Sequence, residues 1–444
     1  MTGRLCAMIM VAMASPALAE GVDLTAPAPA QSPMLGLAFP GNKPEFYGLL
    51  ADAGMSWARI SASWQAIGKP DGSFDFTEID RRIAGLQANG LIPFVTFESD
   101  ADWATDPATH RVKNAAPLDL GAWQRFVTTV VERYDGDGQG DMPGLRAPLR
   151  YWQAANEYVS DTNASGGWAA GNAALLAYIN AAHDAVKSAD PKATFVLGGT
   201  AAFVMDVALV NQGHADWTVR QFWNDGSELV YSPKTSKSDR VTAMVEGRLK
   251  FVLSQARYDV ADIHLYGPEE RDPKRIEALK AWSGGRPVVS TECGGPNLDY
   301  GAEYSPKAHF MVVISRNLNV FAQGGQACLW FGLGEEMQTT VGNARVPLYD
   351  LQRQPKPGVY AYRLLARMLP KGARVSLIEN GWQITIADGR SLQLLRKGGA
   401  GAGAISHCVL EKALDRVLPA TDYESCANAM LVLKGDLVRN ALTK

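Results

Sequence analysis

The chain has 444 residues, 47% of them hydrophobic and 20% charged, with a formal net charge of −3 at pH 7. That is globular composition, with length enough for a large core. The near-neutral balance argues against a nucleic-acid surface, and no lysine- or arginine-rich stretch suits an anionic membrane.

In chain order, the first segment is a targeting signal. Arg4 gives a short positive start, Leu5 to Ala14 is apolar, and Ala17-Leu18-Ala19 is a small-residue cleavage site. This pattern predicts a signal peptide over residues 1–19, removed after Ala19. The apolar run is short for a membrane span, which leaves an uncleaved anchor as the lesser alternative. The mature protein is expected to be secreted or periplasmic, with no membrane span. Four cysteines remain: Cys293, Cys328, Cys408 and Cys426. Cys408 and Cys426 close a short loop and are the expected pair in an oxidising compartment. Cys293 and Cys328 lie on apolar strand candidates and read equally well as a pair or as buried free thiols. No CxxC spacing points to structural zinc.

A regular alternation follows. "MLGLAF" (Met34 to Phe39) is an apolar run, followed by a helical stretch through Asp52. "MSWARIS" (Met55 to Ser61) precedes a helical pattern that ends at Gly90, and "LIPFVTF" (Leu91 to Phe97) precedes "LGAWQRFVTTVVERY". "PLRYWQAAN" precedes "WAAGNAALLAYINAAHDAVKSA". "ATFVLGG" precedes a long insertion and then "RVTAMVEGRLKFVLSQA". "VADIHLYG", "RPVVSTE" and "QACLWFG" each precede a further helical pattern. The strand candidates are near-continuous apolar runs, as expected when helices cover the sheet. Eight such units over residues 30–371 predict a (β/α)8 TIM barrel. A doubly wound open sheet is the alternative, but no GxGxxG follows the first strand. Beyond Lys371, strand-like pieces around Asn380-Gly381 and Asp388-Gly389 predict hairpins, and "GGAGAGA" (Gly398 to Ala404) a flexible link. Residues 372–444 are read as a small C-terminal β-rich appendage.

In such a barrel the active site lies at the C-terminal strand ends. Those ends deliver Arg59 (strand two), Glu98 (three), Asn156 and Glu157 (four), His264 and Tyr266 (six), Glu292 (seven) and Trp330 (eight). Two glutamates from opposite strands are what glycoside hydrolysis uses: one gives a proton to the leaving oxygen and one attacks the anomeric carbon or activates water. Arg59 and Tyr266 are placed to hold Glu292 ionised. Asn156 is expected to meet a sugar hydroxyl and Trp330 to offer a flat face to a pyranose. Glu157 is left as the acid. His264 is as readily a satisfied core residue as a site residue, and Glu98 either a sugar contact or a supporting hydrogen bonder. Trp64, Trp103 and Trp168 lie in loops after strands two, three and four. They are candidates either to stack on substrate or to pin their loops.

"QAANE" and "VVSTECG" resemble the large clan of retaining (β/α)8 glycoside hydrolases, nearer families 39 and 42 than the cellulase family 5. The resemblance covers about residues 34–370 and includes "GMSWARISASWQAIGKPDGSFDFTEIDRRIAGLQANGLIPFVTF". It implies Glu157 as acid/base and Glu292 as nucleophile. Arg59, Asn156, Tyr266 and Trp330 match the clan's site arginine, asparagine, tyrosine and tryptophan. The chain departs from several of these families after strand three, where it reads "TFESD". The implied activity is hydrolysis of a poly- or oligosaccharide with no required cofactor. A non-catalytic carbohydrate-binding barrel and a transglycosylase are the alternatives.

One further motif lies outside this set. In "YDGDGQGDMPGL", Asp135, Asp137, Gln139 and Asp141 alternate as in the start of a calcium loop. Arg146 at the twelfth position excludes an EF-hand, so the segment reads either as a structural calcium site or as ordinary Asp-Gly turns. The six scattered histidines form no HxH or HExxH, and neither a GxSxG elbow nor a P-loop is present.

Overall fold

The computed structural model describes residues 21–223, 225–334, 346–396, 407–420, 426, 428–435, 438 and 442. The predicted signal peptide and the glycine-rich link at 398–404 lie outside the described residues. Eight parallel strands form the sheet: β1 Ser32–Ala38, β2 Met55–Ser63, β3 Ile92–Glu98, β4 Tyr151–Ala154, β5 Thr194–Leu197, β6 Ala261–Leu265, β7 Val288–Cys293 and β8 Cys328–Phe331. Strands β1 to β5 pair in order, β6 pairs with β7, β7 with β8, and β8 with β1. The circle closes because the chain after β5 resumes as Thr200–Ala201 and pairs with β6 through Ile263↔Thr200 and His264↔Ala201.

The covering helices are α1 Gly48–Asp52, α2 Thr77–Ala88, α3 Leu120–Glu132, α4 Asn172–Ala189, α5 Ala202–Asn211, a helical run over 239–255 (α6), α7 Asp272–Trp282, α8 Pro306–Ala322 and α9 Pro357–Met368. Their starts follow local chemistry. Asp119 accepts from Gly121 N at 2.7 Å to cap α3, and Ser305 accepts from Ala308 N to cap α8. Helix α3 buries Trp123, Phe126, Val127, Val130 and Val131, a stripe at helical spacing. The insertion expected after β5 is partly helical. Apolar α5 begins at once, and the hairpin of Val219–Phe222 with Glu228–Tyr231 follows it.

Strand alternation splits the core in two. Outward side chains such as Ile60, Val95, Trp152 and Ile263 pack under the helices. Inward ones form a small apolar plug of Ala38, Phe94, Val196, Val260, Val289 and Leu329, with Trp57 and Tyr151 against it. The plug fills the lower barrel, so polar side chains nearer the strand ends sit above a dry floor.

The C-terminal strands form an antiparallel sheet: β9 Arg374–Ile378, β10 Gly381–Thr385, β11 Ser391–Arg396, β12 His407–Leu410, β13 Ala413–Pro419 and β14 Ala429–Lys434. The expected tight turns connect β9 to β10 and β10 to β11. The sheet has a seventh strand from the other end of the chain, Val22–Asp23 paired with β13, which the sequence pattern did not reveal. It docks on α8 through Trp382 Nε1 to Asn319 Oδ1 and Arg396 Nη2 to Ser315 Oγ, both 2.9 Å.

Cys408 is bonded to Cys426, and Cys293 to Cys328, so the two strand thiols are a pair that ties β7 to β8. Replacing Cys293 and Cys328 together by alanine is expected to lower the unfolding free energy by about 2–4 kcal/mol in a denaturant titration. An unchanged midpoint would show that the two thiols are not joined.

Candidate active site

Above the apolar plug lies a ring of buried polar side chains. Asp262 on β6 accepts from Gln153 Nε2 at 2.6 Å, from Thr291 Oγ1 at 2.5 Å and from Thr291 N at 2.8 Å. Gln153 accepts in turn from Thr96 Oγ1, and Thr96 accepts from Arg59 Nε, both at 2.9 Å. Arg59 is fully buried, and its two terminal nitrogens reach upward. Nη2 donates to Asn156 Oδ1 at 3.0 Å and Nη1 to Glu292 Oε2 at 3.3 Å. Its guanidinium also lies 4.9 Å from the centre of the Phe39 ring.

The two glutamates meet across one histidine. His264 Nδ1 is 2.9 Å from Glu157 Oε1 and 3.8 Å from Glu292 Oε2. One carboxylate oxygen from each glutamate and a ring nitrogen of His264 all lie within 4.8 Å of one another. Glu157 Oε2 accepts from Asn163 Nδ2 at 2.6 Å, and Glu292 Oε1 accepts from the Tyr266 hydroxyl at 2.7 Å. Burial works against the Glu292 charge, but His264, Arg59, the Tyr266 hydrogen bond and Lys113 together outweigh it. They hold its carboxyl below the usual carboxylate range. His264 is the mirror case. Burial opposes its charge, and Glu292, Glu157 and Asp262 overcome this and raise its pKa. Tyr266 is pushed well above the ordinary phenol value by burial and by Glu292.

Backbone geometry aims Glu157. The end of β4 bends through two left-handed residues, Ala155 (φ 70°) and Glu157 (φ 46°), which cost about 1–3 kcal/mol each in isolation. The bend is fixed by Glu157 N donating to Gly199 O at 2.9 Å. Gly198 and Gly199 make room for it. A Cβ on Gly198 would lie 2.3 Å from the Ala155 carbonyl, and one on Gly199 2.2 Å from the His264 ring. Tyr266 is set from behind. Arg275 Nη1 donates to the Tyr266 and Pro268 carbonyls, and Arg316 Nη2 to that of Gly267. Asp206 and Asp272 balance the charge of these two buried arginines.

Asn156, Glu157, Tyr266 and Glu292 are half-buried and open to the bowl. Burial corrects the expected sugar contact of Trp330 and keeps two other candidate site residues, Arg59 and His264, from touching a ligand directly. Arg59 and His264 are fully covered, so they act on a ligand only through Asn156 and the two glutamates. Trp330 offers no flat face. It points out of the barrel, 5.8 Å from His309, and its indole N–H donates to Val346 O. Alternation makes the next residue, Phe331, the inward one, where it packs edge-on to Phe39 at 5.6 Å. Glu98 is nearly covered, its Oε1 2.7 Å from Lys113 Nζ. Trp64 and Trp168 are buried loop pins, and Trp103 is 37% exposed.

The acidic loop folds on itself. Asp141 accepts from Gly136 N and Gly138 N, and Gln139 donates to Asp137. The carboxylates that converge within 4.8 Å are Glu132, Asp135 and Asp137, not the alternating set.

Asn163, Lys113, Asp262 and Phe331 were missed by sequence reasoning. Asn163 lies in an irregular loop, where spacing carries no signal. Asp262 is the exception: a carboxylate inside an apolar strand run is itself a signal.

No protein-family model and no curated protein sequence matches the chain. Solved structures do. A glucosidase from Croceicoccus marinus aligns over 92% of this chain and 85% of its own at 14% identity, TM-score 0.56. A family 39 glycoside hydrolase from Bacteroides cellulosilyticus WH2 aligns over 91% and 79% at 13% identity, TM-score 0.55. A monomeric β-xylosidase from Caulobacter crescentus CB15 aligns over 86% and 77% at 16% identity, TM-score 0.52. At such identities the likeness establishes the fold, the (β/α)8 barrel with a β-rich appendage.

The raised His264 pKa fixes signs. Its charged form adds stability that is complete below the ordinary value of 6.5 and is lost as pH rises through the higher folded value. The Glu292 charge adds stability above the ordinary 4.5 that is lost as pH falls through the lower folded value. NMR of the labelled histidine rings is expected to give a His264 midpoint above 6.5 that is absent in His264→Asn and lower in Glu292→Gln. A His264 midpoint at or below the ordinary value would contradict this charge arrangement.

Proposed function

We propose that the protein is a glycoside hydrolase acting with retention of anomeric configuration. One observation carries this reading: Glu157 and Glu292 come from strands on opposite sides of the bowl, yet their nearest oxygens fall within 4.8 Å across His264. The carboxyl groups of a retaining pair stand roughly 5–5.5 Å apart and those of an inverting pair roughly 6.5–9.5 Å, and an oxygen-to-oxygen approach within 4.8 Å is compatible with the closer arrangement. The fold shared with a glucosidase and a β-xylosidase supports the same class.

Glu292 is the nucleophile in this reading. Its charge is held by Arg59 and Tyr266, so one oxygen stays ionised and oriented toward the anomeric carbon. Glu157 donates its proton to the glycosidic oxygen and then takes one from the water that releases the sugar. Asn163 and His264 grip its two oxygens and keep it facing Glu292. Asn156, held by Arg59, presents its amide to a sugar hydroxyl. The reaction uses no cofactor. The substrate is a poly- or oligosaccharide, and the leader pattern and the two disulfides support action in an exported, oxidising setting.

The test is release of sugar from aryl β-xylosides, β-glucosides and β-mannosides, with the product anomer read by NMR. Glu157→Gln and Glu292→Gln are each expected to lose roughly 10²–10⁴-fold or more in kcat/KM. The product should first appear in the substrate's own anomeric form. An inverted product, or a variant retaining near-full rate, would overturn the assignment.

A further inference from the structure

A second feature with carbohydrate-binding chemistry lies outside the bowl. A groove of about 500 Å³ runs down the barrel flank between the 68–74 loop and the exposed face of α3. Trp103 shares its aromatic wall with Trp64 and Phe74 and is 37% exposed. Its ring is not loosely held. It stands edge-on to Trp64 at 5.6 Å and 70°, and Trp64 is itself stacked on Phe126 at 5.6 Å and 20°. A rigid indole kept partly in solvent by a buried aromatic stack is an arrangement that core packing alone does not require.

The opposite wall supplies hydrogen-bonding groups. Gln124 and Thr128 stand one turn apart on α3, half-buried in the groove, and no other described residue engages their side chains. Lys69 and Arg125 also line it, each within reach of a carboxylate: Asp75 at 3.8 Å and Asp119 at 3.7 Å. The groove is therefore close to neutral. An apolar ring face beside an unspent amide and hydroxyl, without net charge, matches the surface of an uncharged sugar, with its apolar C–H face and its hydroxyl rim. The groove also abuts the bowl. Its Trp64 and Trp103 follow the ends of β2 and β3. Those ends are joined by Ser63 Oγ to Asp100 Oδ2 at 2.6 Å and by Asp102 N to Gln65 Oε1 at 2.9 Å.

We infer that this groove is a second glycan-binding site that holds an uncharged stretch of the polymer whose bond is cut in the bowl. The identity of the occupant rests on the hydrolase reading above; the groove's affinity for sugar does not. Its contribution is to raise the local concentration of polymer at the rim, which lowers KM for long chains and leaves short substrates unaffected.

Native gels cast with soluble xylan, mannan or β-glucan test this, using Glu292→Gln so that the polymer persists. Retardation is expected in at least one gel. Trp103→Ala, and separately Gln124→Ala with Thr128→Ala, should weaken it roughly tenfold. In the otherwise unaltered enzyme, Trp103→Ala should raise KM on that polymer several-fold and leave aryl-glycoside kcat/KM within about twofold. Three results would overturn the proposal: no retardation in any gel, retardation indifferent to both variants, or aryl-glycoside turnover collapsing with Trp103→Ala. Retardation that depends on Trp103, with no aryl glycoside cleaved by the wild type, would uphold the groove and remove the hydrolase reading instead.

Discussion

The site depends on one buried cation. Arg59 is fully covered and rises from an apolar floor, so each of its donors needs a partner within the protein. It finds them on three other segments of the barrel: Thr96 on β3, Asn156 beyond β4 and Glu292 on β7. A planar guanidinium with three fixed acceptors allows little freedom to any of them. Below it, the chain through Thr96, Gln153 and Asp262 to Thr291 closes the polar ring. This makes the barrel's middle layer a hydrogen-bonded frame on which the carboxylates stand.

Above Arg59, charge is arranged so that each group explains its neighbour. Three carboxylates around His264 raise its pKa against its burial. In its charged form it helps hold Glu292 ionised, and its Nδ1 contact orients Glu157. Tyr266 adds a donor to Glu292, and its loop is held by the two buried arginines of α7 and α8. The strained turn at Ala155 and Glu157 fits this scheme, because the backbone is bent to bring the second carboxylate to the first. Small residues at Gly198 and Gly199 make that approach sterically free.

Much of this was legible in the sequence because repetition amplifies weak signals. No single apolar run specifies a strand, but eight runs alternating with capped helical patterns specify a barrel, and the barrel then says where strand ends point. That places Asn156, Glu157, Tyr266 and Glu292 together without any coordinates. What failed was finer than an element boundary. Trp330 and Phe331 differ by one position, and in a strand one position is the difference between the helix layer and the bowl. The residue with the larger aromatic surface was the natural choice, and it turned out to be core. Arg59 meets Glu292 as the sequence suggests, but its full burial and that of His264 were not legible, because spacing along a strand does not tell burial from exposure. Asn163 and Lys113 come from irregular loops, and only tertiary folding brings them to Glu157 and Glu98. Val22–Asp23 is too short to register as a strand, and its pairing with β13 joins segments from opposite ends of the chain.

The most direct test of the central claim is covalent trapping. The protein would be incubated with 2-deoxy-2-fluoro glycosyl fluorides of the xylo, gluco and manno series, whose slow turnover lets a glycosyl-enzyme accumulate. Intact-mass and peptide mass spectrometry would then locate the label. The account predicts a mass gain of one fluoroglycosyl group, carried on the peptide that contains Glu292 and absent from Glu292→Gln. A label on another residue, or turnover of the ordinary glycosides with no label from any of the three, would contradict it.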